Sequence, residues 1–178
     1  MDNIIQELES KPFSGEDLLN ITDKKTKVIR YVDLKTVRNI NNLFKPYNCF
    51  IILYETNPSY GHWVCVIKHI PKRGKPYIEF FDPYGMMPDK QLDYISESFL
   101  NQQGINKPLL LHLFADSGYD VIYNTKQLQR YANDISTCGR HVSFRIIMKD
   151  LPLKEYIKLL TKNKLSPDML VTYLTAFQ

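Results

Sequence analysis

The stretch Ser136-Thr137-Cys138-Gly139-Arg140-His141-Val142-Ser143-Phe144-Arg145-Ile146-Ile147 pairs a nucleophile with a means of activating it. Ser136 and Thr137 are N-cap types, able to accept hydrogen bonds from the free amides of a first helical turn. Val142, Phe144, Ile146 and Ile147 would bury a helix that follows, although one crowded apolar run does not by itself separate helix from strand. Cys138 then stands at the positive end of a helix dipole, which favours the thiolate, the nucleophilic form of sulfur. Gly139 removes a side chain beside that sulfur, so a backbone or a substrate can approach closely. The competing reading is a buried, inert thiol, since free cysteines are among the most buried residues. Partners elsewhere in the chain must decide between the two.

An acyl-transfer site built on a thiolate needs a histidine to exchange its proton, a group to orient that histidine, and donors for the oxyanion. His62-Trp63-Val64-Cys65-Val66-Ile67 reads as a strand after Tyr60-Gly61. A turn-rich break, Pro71-Lys72-Arg73-Gly74-Lys75, leads to a second strand, Tyr77-Ile78-Glu79-Phe80-Phe81, closed by the turn former Asp82-Pro83-Tyr84-Gly85. Folding the two strands as an antiparallel hairpin about residue 72 sets His62 opposite Asp82, within the residue or two that a bulge would shift it. His141, three residues after Cys138, shares its helical face and is a rival base, though such a spacing rarely gives in-line proton transfer.

The remaining chain supplies the elements that must position these groups. Residues 1–22 read as one or two short helices, with a capping box from Ser14 to Asp17. Lys27–Val32 has strand composition, Thr36–Phe44 reads as a helix closed by Pro46, and Cys49–Tyr54 is a buried strand. Residues 88–103 read as one amphipathic helix stopped by Gly104, and Leu109–Leu113 and Tyr119–Tyr123 as strands. Two helices follow the Cys138 helix, at Leu153–Leu160 and Pro167–Phe177.

The 178 residues suffice for one full core, and 44% apolar with 24% charged residues is ordinary for a globular domain. No long apolar span and no signal-peptide pattern is visible after Met1-Asp2-Asn3, so no membrane contact is expected. Three cysteines, Cys49, Cys65 and Cys138, cannot all pair, which fits reduced thiols in an intracellular setting. They also lack the close ligand pairs of a zinc site; neither metal nor cofactor is expected. A net charge of +4 permits contact with nucleic acid without arguing for it.

Gly61-His62-Trp63, then Phe81-Asp82-Pro83-Tyr84-Gly85, then a glutamine ahead of Cys138-Gly139, resembles the adenovirus maturation protease and the ubiquitin-like-protein proteases that share its fold. The form Thr137-Cys138-Gly139-Arg140-His141 is most similar to proteases of large DNA viruses and virophages. The resemblance covers residues 47–150, and its order (histidine, acid, glutamine, cysteine) differs from papain-like enzymes, which place the cysteine first. It implies His62 as general base and acid, Asp82 as its orienter, Cys138 as nucleophile, Trp63 packing over the substrate site, and a glutamine side chain with the Cys138 amide as oxyanion donors. The family places that glutamine six or seven residues before the cysteine, where this chain has Ala132 and Tyr131. Gln129, at the end of a strand-like Tyr123–Gln129 segment, is the choice here, with Gln127 and Asn133 as rivals.

These readings lead to an α+β, adenain-like cysteine protease fold with a central, mostly antiparallel sheet packed against helices. One domain is expected over 1–178, comprising an N-terminal extension (1–46), a catalytic core (47–150) and C-terminal helices (151–178). The resemblance implies a monomeric endopeptidase that cuts viral capsid or core precursors near glycine-containing motifs, in the virion and the host cytoplasm. The same four residues would serve an isopeptidase for ubiquitin-like modifiers, and an inert binding protein would keep the fold alone. Lys72-Arg73-Gly74-Lys75 reads as a solvated hairpin tip; because adenovirus-type proteases use DNA, it is also the place for a weak nucleic-acid contact.

Overall fold

Cys49–Tyr54 and Trp63–Ile67 lack polar alternation, the pattern of strands covered on both faces. The computed structural model, which describes residues 2–176, builds its sheet on them. Strand β2 (Cys49–Asn57) runs antiparallel to β3 (Tyr60–His69), and β3 antiparallel to β4 (Tyr77–Phe81). At the edges β1 (Lys27–Arg30) lies parallel to β2, and β5 (Asp120–Tyr123) parallel to β4, giving the order β1-β2-β3-β4-β5. The α+β architecture is as expected: the central strands pair antiparallel over the longest ladders, and parallel edge pairs make the sheet mixed. Its outer pairs are joined by long connections carrying helical turns, which bring a strand back in the same direction, where a tight hairpin would reverse it.

Each face of the sheet carries its own core. Phe50, Ile52, Val64, Val66, Ile78 and Phe80 pack under α3 (Asn41–Phe44), α4 (Glu97–Gln103) and α5 (Leu109–Ala115). On the other face Ile51, Leu53, Trp63, Cys65, Ile67 and Phe81 meet α6 (Cys138–Ile147), with α2 (Gly15–Ile21), α7 (Leu153–Thr161) and α8 (Pro167–Thr175) around it. Helix α1 (Asp2–Ser10) packs along α8. The Ser14–Asp17 capping box opens α2 as expected. Helices α7 and α8 also fall where the sequence places them; Phe177 lies outside the described residues.

Three expected elements take another form. Thr36–Phe44 is helical only over Asn41–Phe44, while Tyr31–Thr36 is a 3-10 turn that buries Tyr31 and Leu34, three residues apart and so on one side of it. The single helix over 88–103 is cut in two. Asp89, in the left-handed region at φ 64°, accepts the hydroxyls of Tyr31 (2.8 Å) and Tyr54 (3.0 Å), and a new helix starts only where Ser96 caps Phe99. The leucine run at 109–113 is a helix rather than a strand. Its first-turn amides are capped from a distance: Leu109 N–H donates to Tyr31 Oη (2.7 Å) and Leu111 N–H to Asp89 Oδ2 (2.8 Å).

Helix α6 is pinned to the sheet by a buried ion pair. Arg145 Nε and Nη2 donate to Glu79 Oε1 and Oε2 at 2.7 and 2.9 Å, and both residues are wholly inaccessible. Arg145 also donates to the carbonyls of Met148 (2.7 Å) and Leu151 (3.0 Å), closing the C-terminal end of α6, and stacks over Tyr156. The contact fixes where the other end of α6, with Cys138, meets the strands.

Candidate active site

The β3–β4 register is two residues away from a direct His62–Asp82 pairing. Val66 faces Phe80 and Cys65 faces Phe81, so the position across from His62 belongs to Tyr84. A slip of two keeps the same face, whereas a slip of one would have turned Asp82 away. Asp82 therefore approaches along the diagonal, and its Oδ1 meets His62 Nε2 at 2.8 Å with both side chains buried. Tyr84 stacks on the imidazole at 4.4 Å and 15°, and the exposed Tyr131 stacks on Tyr84 in turn.

Asp82 is held from behind. Its Oδ1 also accepts the Tyr84 N–H at 2.7 Å. Its own N–H donates to Asn124 Oδ1 (3.0 Å), and its carbonyl accepts from Asn124 Nδ2 (2.6 Å). Asn124 follows the last residue of β5, so the parallel edge strand supplies the clamp. No local signal marks it, because the two residues are 42 positions apart.

Cys138 is the first residue of α6 and lines the same cleft as His62. With Nε2 committed to Asp82, Nδ1 is the nitrogen left for the sulfur. Thr137 occupies the N-cap position, but its hydroxyl makes no cap bond; it turns away to donate to Asp168. The expected capping by Ser136 or Thr137 thus gives way to a helix start whose first amides remain available to an anion. Burial by itself would lower the His62 pKa. Asp82, by its charge and its hydrogen bond, and then Cys138 outweigh that and lift it from 6.5 to about 10. A folded-state pKa raised in this way stabilises the protein in full below pH 6.5 and loses that contribution as pH climbs to about 10. The stability difference between the native protein and His62→Gln, measured by urea unfolding, is expected to shrink across that window.

The irregular segment after β5 places Gln129, where a strand end was expected. Leu128 and Gln129 both donate their amides to the Pro83 carbonyl (2.9 and 3.0 Å), which hangs the segment on the Asp82 turn. Gly85, at φ 74°, makes the contact possible: a Cβ there would stand 2.8 Å from the Lys126 backbone. Gln129 is 2% exposed and its buried Oε1 has no partner, whereas Gln127 and Asn133 are exposed. A cleft of about 360 Å³ collects Cys138, His62, Gln129, Trp63, Tyr84 and Gln91 on its walls.

Phe13, which the sequence did not single out, forms another wall. Trp63 Nε1 donates to the Phe13 carbonyl at 2.9 Å, and Arg140 stacks over the Phe13 ring. The space beside Gly139 is filled by Phe13, whose Cβ would lie 2.7 Å from an added Cβ. Gly139 therefore gives room to the N-terminal segment, and it is absent from the cleft wall. His141 is drawn into the core, where its Nε2 meets Asp168 Oδ1 at 3.1 Å, and it is absent from the cleft wall. Cys49, Cys65 and Cys138 are free thiols. Among the described residues no cluster of three metal-ligating side chains is found, and no helix is long and apolar enough to cross a membrane.

The fold is similar to that of a viral protease. The crystal structure of the ASFV pS273R protease superposes with a TM-score of 0.51 at 15% identity, over 95% of this chain and 68% of that one. The chain belongs to the family of the uncharacterized protein V9 of Sputnik virophage, to which it is 33% identical over 171 residues, 94% of its own length and 95% of that protein. A central domain of an uncharacterized Legionella pneumophila protein aligns at a TM-score of 0.39 and 19% identity, over 93% of this chain and 98% of that one. No family model matches the sequence.

Proposed function

We propose that the protein is a cysteine endopeptidase. The observation that carries the reading is the buried Asp82–His62 pair, with His62, Cys138 and the Gln129 side chain on the walls of one cleft. The Cys138 thiolate attacks the scissile carbonyl carbon, and the carbonyl electron pair moves onto oxygen. Gln129 Nε2 and the Cys138 N–H stabilise that oxyanion. As the tetrahedral adduct collapses, His62 gives its proton to the departing amine and an acyl-enzyme remains. His62 then takes a proton from water, hydroxide attacks the thioester, and collapse of the adduct releases the carboxylic product and restores the Cys138 thiolate beside protonated His62. Asp82 keeps the imidazole oriented throughout and stabilises its charged form.

By resemblance the substrate is a capsid or core precursor cut near glycine during virus maturation, and the whole chain acts as one catalytic domain. The test is cleavage of the virus's own structural precursors by purified protein, with a ubiquitin-like C-terminal probe run beside them to detect isopeptidase action. Cys138→Ala is expected to abolish cleavage. Gln129→Ala is expected to lower kcat by about 10²–10³ with little change in KM, the usual cost of one oxyanion donor. Full activity in folded Cys138→Ala would end the proposal.

A further inference from the structure

Asp168 lies in the first turn of α8, wholly buried, and the partners that fix it come from outside its own helix. Its Oδ2 accepts the backbone N–H of Arg130 at 3.0 Å, with Arg130 Nε at 3.8 Å. Its Oδ1 accepts the Thr137 hydroxyl and, at 3.1 Å, His141 Nε2. Burial works against a charged carboxyl here, but the His141, Thr137 and Arg130 contacts hold it below its ordinary range. Arg130 is the residue after Gln129, and Thr137 is the residue before Cys138. The stretch between them, Arg130 to Asp134, is exposed along its length, with the Tyr131 ring stacked on Tyr84.

We infer that Asp168 is a positioning residue that sets the spacing of the two oxyanion donors, the Gln129 carboxamide and the Cys138 amide. This rests on the peptidase reading. One rigid acceptor grips the chain immediately beyond each donor, while the Pro83 carbonyl holds Gln129 from the opposite side. The same demand explains why Thr137 does not cap its own helix: its hydroxyl is used to fix the loop. It also gives His141 its place, as a second donor that keeps the buried carboxylate charged and aimed. Without Asp168, the Arg130 amide, the Thr137 hydroxyl and the His141 ring would all lose an acceptor, and the loop would keep only the Pro83 and Tyr84 contacts on the Gln129 side, which loosens the spacing of Gln129 and Cys138.

The test separates sulfur reactivity from oxyanion binding in the full chain. Iodoacetamide alkylates a thiolate by direct displacement and needs no oxyanion site. The aldehyde acetyl-glycyl-glycinal forms a hemithioacetal with Cys138, whose oxygen sits where the oxyanion would. Asp168→Asn and Thr137→Val are expected to weaken aldehyde binding by about tenfold or more, part of the ~10²–10³ that one donor supplies. Their iodoacetamide rates should stay within about threefold of the native protein, and Thr137→Ser, which keeps the hydroxyl, should bind the aldehyde normally. Unchanged aldehyde affinity in a folded Asp168→Asn or Thr137→Val would overturn the inference, as would a parallel fall in both readouts. A native protein that forms no aldehyde adduct and alkylates like a free thiol would instead remove the peptidase reading, and this inference with it.

Discussion

Alkylation of Cys138 in the native protein is expected to vary by only a few fold between about pH 5.5 and about pH 8.5, whereas in His62→Ala it climbs about tenfold per pH unit. The reason is the ion pair. A cysteine with no partner titrates near 8.5, so below that each unit of acid removes about nine-tenths of its thiolate. In the native site the imidazole in the same cleft keeps its proton, its pKa raised to about 10 by Asp82. That positive charge is present through the whole range, which is why a flat profile is expected there. The slope is a better readout than the absolute rate, because a thiolate of low pKa is also a weaker nucleophile. A tenfold climb per unit in the native protein would mean that Cys138 and His62 do not share a proton. Parallel flat profiles in both proteins would assign the activation to the helix terminus alone.

Replacing Arg145 is expected to be the most damaging change outside the cleft. Arg145→Met leaves the Glu79 carboxylate without its bidentate partner in a site with no exposure, and truncating one member of a buried pair costs about 3–5 kcal/mol. That is a large share of the roughly 5–15 kcal/mol that holds a domain folded. Burial alone would raise the Glu79 pKa; His69 and Arg145 bring it below its ordinary range. A carboxyl depressed in the folded state stabilises the native protein at neutral pH and loses that contribution as pH falls through its folded value. In Arg145→Met the balance tips towards the raised side, so its deficit, followed by urea unfolding, should narrow on acidification. The pair Glu79→Gln with Arg145→Met should recover much of the loss, since no buried charge is then stranded. A deficit that is independent of pH and persists in the double variant would show that packing over Tyr156, and not charge, explains the role of Arg145.

The candidate site was legible wherever its chemistry follows from chain-local patterns. A hairpin with a readable turn brings its two open ends together, so His62 and Asp82 could be matched by counting, and an error of two residues does no harm because side chains alternate with period two. Cys138 at a helix start was equally visible, since small polar residues followed by an apolar run mark such a boundary. Gln129 was selected among three candidates from the sequence, and burial is what distinguishes it from Gln127 and Asn133. Elements whose ends are capped from far away were misread. The leucines at 109–113 form a helix because Tyr31 and Asp89 satisfy its first amides, and nothing within the run announces that.

The sequence by itself thus determined which residue types could do chemistry, on which kinds of element, and in what order along the chain, because propensity, periodicity and turn composition act over a few neighbouring residues. Only the tertiary structure decided how those groups are held: Asn124 clamping Asp82, Phe13 filling the space at Gly139, Asp168 spanning the loop from Gln129 to Cys138, and Glu79 anchoring the Cys138 helix. Each is a polar or close-packed contact between distant segments. Such contacts are set by where buried donors find acceptors and where backbones can approach, and those conditions exist only once both cores have closed on the sheet.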